Sequence, residues 1–148
     1  MSEARPWLHA AAWMSLAASA LHLACIAGGP AWYRFMGAGE DMARAVERGS
    51  WVPAAMTAAV AIILAVWAAY AFAAAGTIRR LPLTRTALIA IAAVLLARAA
   101  MVFMPEVWAP EQTYAFRIWS SAIVLLLGLC FAIGTWRAWP SLAAKNRG

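Results

Sequence analysis

Two ionisable side chains, His22 and Arg98, lie deep within apolar stretches of membrane length, and their types define the chemistry open to them. An arginine in such a place is an anion anchor, because its planar fork carries a fixed charge and donates in pairs to carboxylate or phosphate. A histidine beside it supplies a hydrogen bond or a proton. No carboxylate lies within the apolar stretches, so Arg98 must find acceptors in the loops, among Glu40, Asp41, Glu106 and Glu111. Glu40 is favoured, because Gly37-Ala38-Gly39 lets the backbone fold close over the helix ends. A Glu40–Arg98 pair with His22 alongside would close an outward-facing polar cavity rimmed by Tyr33 and Trp51. Three plainer arrangements compete with it. The guanidinium can reach up to the headgroups, the imidazole can tie to Ser19 or a backbone carbonyl, and Glu40 can pair with Arg44 four residues on.

The elements that must position these groups follow from composition. Of 148 residues 66% are apolar and 12% charged, which is membrane-protein rather than soluble composition. Four windows, residues 7–27, 51–75, 83–104 and 116–139, each reach the ~20 residues needed to cross ~30 Å of hydrocarbon. The expected fold is all-α: one transmembrane domain, residues 1–148, built as a four-helix bundle in the lipid bilayer. His22 lies five residues before Ala27 and Arg98 six before Met104, so both sit ~7–9 Å below the same end of the bundle. Ser15 and Ser19 share the His22 face, and Thr57, Ser120 and Ser121 lie at comparable depth on the other spans. Small residues (Ala61, Ala65, Ala69 and Ala73 on the second span; Ser120, Gly128 and Ala132 on the fourth) predict close helix contacts.

The net charge of +6 is a topology signal, not a nucleic-acid footprint. Arg5, Arg79, Arg80, Arg85, Arg137, Lys145 and Arg147 lie at the two termini and the second loop, whereas Arg34, Arg44, Arg48 and Arg117 flank the other two. That bias places both termini in the cytoplasm, with some affinity for anionic headgroups. Trp7, Trp136 and Trp139 mark one interface and Trp32, Trp51, Trp108 and Trp119 the other, while Trp13 and Trp67 read as packing residues. Cys25 and Cys130 differ by ~15 Å in depth and are expected to stay apart as small core residues. Ala18-Ser19-Ala20 resembles a signal cleavage site, but the apolar run continues past it to Ala27, which favours an uncleaved first helix.

Between the first two spans, Gly28-Gly29-Pro30 ends a helix, and residues 41–48 form a short amphipathic one with acids first and bases last. Arg79-Arg80-Leu81-Pro82 is a basic turn, Pro82 suits the first turn of the third span, and residues 105–115 make an irregular connection. Haem held by two histidines is excluded, since His9 and His22 stand roughly 20 Å apart on one helix. Proton-coupled cation export needs a carboxylate within a span, and none is present. No motif calls for a metal or cofactor. The run Tyr33-Arg34-Phe35-Met36-Gly37-Ala38-Gly39-Glu40, with Arg79-Arg80-Leu81-Pro82 and Arg98, resembles a family of small bacterial four-span inner-membrane proteins. The resemblance implies an inner-membrane location and supplies no catalytic assignment.

The leading expectation is a ligand-binding membrane protein that takes an amphipathic or anionic small molecule or a lipid headgroup through His22, Tyr33, Glu40, Trp51 and Arg98. An acid–base enzyme acting on a lipid-soluble substrate through His22 and Glu40 is the second reading. An accessory subunit, joined to copies of itself or to a larger membrane partner through its small-residue stripes, is the third.

Overall fold

The computed structural model describes residues 3–144 apart from 109 and 111. Glu111 and the tail bases Lys145 and Arg147 therefore lie outside the described residues. Four helices are long and apolar enough to cross a membrane, which makes this a multi-pass membrane protein. They are α1 (Arg5–Gly28), α4 (Val52–Ala75), α5 (Thr84–Ala100) and α6 (Tyr114–Ala144), with α2 (Pro30–Phe35) and α3 (Glu40–Glu47) between the first two. Short 3₁₀ turns over Met101–Phe103 and Pro105–Val107 join α5 to α6. The expected four-helix bundle is formed.

Going round the bundle, the order is α1, α4, α5, α6 and back to α1, so α1 and α5 occupy opposite corners. The start of α1, the end of α6 and the α4–α5 loop lie at one end, the terminal end. The α2–α3 segment and the α5–α6 connection lie at the other, the cap end. Small residues bring the helices together, because apolar side chains gain no hydrophobic advantage from one another in lipid. The buried line on α4 is Ala61, Leu64, Ala68, Ala71 and Ala75, whereas Ala65 and Ala69 are only half-buried. The strict four-residue stripe expected there drifts off the contact, because 3.6 residues per turn demands alternating three- and four-residue steps. On α6, Gly134 lets α1 come close: a Cβ there would stand 2.9 Å from Leu8 Cδ2 and Cγ. Gly128 plays the same part against Leu95 and Leu96 of α5.

Gly29 ends α1 at φ 66°, and Pro30, with its φ already helical, starts α2. The α2 turn was not expected from the sequence. Gly37 (φ 70°) lies so close to the Phe116 ring that no side chain could fit there, and its carbonyl accepts from Gln112 Nε2. The glycines do fold the cap onto the bundle, as expected, but against α6. Three other expectations are corrected. Trp13 is 64% exposed and meets Phe72 edge-on on the outer surface, so it is not a core residue. Helix α5 starts at Thr84, with Pro82 still in the loop and Leu83 held in the left-handed region at φ 54°. Helix α6 runs past Trp139 through Pro140, because Leu142 beyond it is buried in the core.

Candidate functional site

The residues predicted to form one constellation are distributed over three separate places. His22 is half-buried on α1, with Nδ1 2.7 Å from the Ala18 carbonyl of its own helix. Arg98 sits on α5, and no Cα of α1 comes within 8 Å of one in α5. Its guanidinium carbon lies 4.5 Å from the centroid of the Trp108 ring, and the Trp108 indole donates to the Met101 carbonyl at 2.9 Å. Arg98 thus reaches outward along its own helix end rather than across the bundle, and its buried Nη1 has no hydrogen-bond partner among the described residues. The expected Glu40–Arg98 pair is replaced by a local network. Glu40 Oε2 meets Arg34 Nε at 2.8 Å, Glu40 Oε1 meets Arg44 Nε at 3.1 Å, and Arg34 Nη1 reaches Glu47 at 2.9 Å. Local partners win because α2 and α3 place Arg34 and Arg44 beside Glu40 at almost no entropic cost. Hydrogen bonds from Arg34 and Arg44 hold the Glu40 carboxyl down at about 2, and those from Glu40 and Glu47 push Arg34 up.

Tyr33 is no rim residue: it is 1% exposed, packed among Cys25, Ala43 and the cap methionines, with its hydroxyl unpartnered. Trp51 is 76% exposed at the cap end. Ser19 donates to the Ala61 carbonyl across the α1–α4 contact at 2.7 Å, and Ser15, Thr57 and Ser121 are each buried. These hydroxyls are packed into the bundle and none of them lines an open mouth.

A concavity lies at the terminal end. A cavity of about 1170 Å³ opens between the α4–α5 loop, the first turn of α5 and the last turns of α6. Arg79, Arg80 and Arg85 line it, together with Thr84, Thr86 and Trp139. Among the described residues no carboxylate pairs with any of the three arginines. The Arg85 guanidinium carbon lies 3.8 Å from the centroid of the Trp139 ring, and its buried Nε has no hydrogen-bond partner among the described residues. Arg80 Nη2 donates to the Ser141 carbonyl at 3.0 Å, which ties the loop to α6. Thr84 donates to the Leu81 carbonyl at 2.6 Å, fixing the turn around the strained Leu83.

Compared with family models, curated proteins and solved structures, the chain matches none. The chemistry must be read from the site itself.

A second, apolar groove of about 530 Å³ shares Ile89 and Trp139 with the arginine cavity and runs between α5 and α6 past Ala92, Ala132 and Thr135. From Trp139 to Ala132 it follows ~10 Å of helix toward the membrane interior. Pro140 lines it too, and the missing proline N–H leaves the Trp136 carbonyl without its usual helical donor. Among the described residues no three His, Cys, Asp or Glu side chains gather as metal ligands. The arrangement is a positively charged mouth joined to a greasy slot. Sequence reasoning placed these bases correctly at one end but took them only as a topology signal. The missed clue is that Arg79, Arg80 and Arg85 fall within seven residues, too many for one turn to disperse. His9 Nε2 stands 2.8 Å from Thr77 Oγ1 and links α1 to the same loop.

Proposed function

We propose that this protein binds an amphipathic anion at the terminal end of its bundle, with the charged head among Arg79, Arg80 and Arg85 and the apolar part in the α5–α6 groove. The observation that carries this reading is the continuity of the two spaces through Ile89 and Trp139. Guanidinium groups without carboxylate partners among the described residues favour carboxylate, sulfate or phosphate, and the half-burial of Arg80 and Arg85 strengthens their pairs. Burial of the tail adds roughly 0.8 kcal/mol per methylene. The site residues expected at the cap end are not needed for this. His22 bonds the Ala18 carbonyl of its own helix through Nδ1, and Glu40 pairs with Arg34 and Arg44.

The bias of basic residues toward the terminal end supports a cytoplasmic location for both termini, and so a site at the inner face of a bacterial plasma membrane. The test is titration of dodecyl phosphate into the protein held in maltoside micelles. Saturable binding, weakened at least tenfold by Arg85→Gln and Arg79→Gln together, is expected. Partitioning that never saturates, or that matches dodecylphosphocholine in both proteins, would overturn the proposal.

A further inference from the structure

The amphiphile has a specific chemical class. We infer that the site holds a glycerophospholipid whose headgroup is anionic and carries no ammonium, drawn sideways from the surrounding bilayer; this rests on the amphipathic-anion reading above. Three features select it. First, a cavity of about 1170 Å³ accommodates a phosphate diester together with its headgroup substituent, far more than a lone carboxylate occupies. Second, among the described residues the cavity wall contains three guanidiniums and no carboxylate, so an ammonium-bearing headgroup meets repulsion there. The Arg79 and Arg85 forks match phosphate oxygens, while the exposed Thr86 hydroxyl is free to meet a headgroup hydroxyl. Third, the groove is bounded by side chains that face the lipid: Ile89 is 49% exposed, Trp136 83% and Trp139 40%. An acyl chain therefore enters from the membrane without leaving hydrocarbon, whereas a water-soluble ligand gains nothing from the groove. The depth agrees as well. Arginines at the helix ends with a tryptophan between them sit at headgroup level, and the groove begins immediately beneath.

The experiment is native mass spectrometry of the intact protein released from nanodiscs containing equal amounts of phosphatidylglycerol, phosphatidylethanolamine and phosphatidylcholine with identical chains. At least a fivefold preference for retained phosphatidylglycerol is expected. Arg79→Gln with Arg85→Gln should abolish that preference. Ala132→Leu, which fills the groove and leaves the arginines in place, should lower retention of every lipid. Inorganic phosphate at millimolar concentration should not displace the bound lipid. Equal retention of all three lipids overturns this inference. If dodecyl phosphate still binds saturably in that case, the broader amphipathic-anion reading survives; if it does not, both fall. Displacement by free phosphate also overturns the inference, by assigning the cavity to a soluble anion.

Discussion

The guanidinium carbon of Arg85, in the first turn of α5, stands 3.8 Å from the centroid of the Trp139 ring, near the end of α6. The contact joins two antiparallel helices at the mouth of the cavity and holds the cation in place with one nitrogen already out of water. Partly desolvated cation–π pairs contribute ~0.5–2 kcal/mol. Trp139→Leu should therefore weaken binding of dodecyl phosphate by about 2- to 30-fold, and Trp139→Phe by less. Titration of the three proteins in the same micelles checks the order. Equal affinity across them would mean that the indole does not orient the arginine.

Gly134 and Leu8 form a tight joint between α1 and α6, since a Cβ at Gly134 would press on Leu8 at 2.9 Å. Gly134→Ala should cost ~1–3 kcal/mol of stability through overpacking. Leu8→Ala alone should cost ~2–5 kcal/mol, because Leu8 is fully buried. The double variant should be more stable than the sum of the two losses implies, since the new methyl occupies space that Leu8 vacates. Unfolding in mixed micelles measures all three. Strict additivity would show that the two positions do not touch.

Glu40 anchors the cap through Arg34 and Arg44, and its folded carboxyl titrates at about 2, below the ordinary value of 4.5. A depressed folded value means that the pair supports the cap fully above about 4.5 and loses that support as pH falls through about 2. Amide exchange over α2 and α3 should accelerate across that window while α4 stays protected. Glu40→Gln should show the faster cap exchange already at neutral pH, with no further acid step from this site.

Arg98 makes no ion pair among the described residues, and its buried Nη1 lacks an acceptor. Removing such a group relieves a desolvation cost, and the loss of the Trp108 stack, ~0.5–1 kcal/mol, offsets it only in part. Arg98→Leu should leave stability within about 1 kcal/mol of the parent or raise it. Binding of dodecyl phosphate at the opposite end should not change. A loss of binding in this variant would return the ligand to the cap end.

The spanning helices are legible in the sequence because length and hydropathy alone determine them in a bilayer, where every backbone group must be satisfied within the segment. The cap helix over residues 40–47 is legible for a different reason: Glu40 and Asp41 at its start and Arg44 near its end fit the helix dipole. Depth was also readable, since His22 and Arg98 do lie toward the same end. Their azimuth was not. Which corner each helix occupies depends on packing details such as Gly134 against Leu8, and those put α1 diagonal to α5. The Glu40 partner failed for a related reason, because a loop carboxylate is captured by the nearest arginines before it can reach a distant one. The Arg85–Trp139 contact spans more than fifty residues of chain, and no local pattern announces it.

The diagonal placement of α1 and α5 has a mechanical corollary. A guest lodged against α5 cannot push on the N-terminal helix directly. Its influence must travel through α4, whose Ala73 and Ala74 line the cavity and which packs along α1, through α6, where the glycine at 134 leaves Leu8 no slack, or through the loop that His9 grips at Thr77. The far corner of this molecule feels what happens at the basic mouth only through those intermediaries.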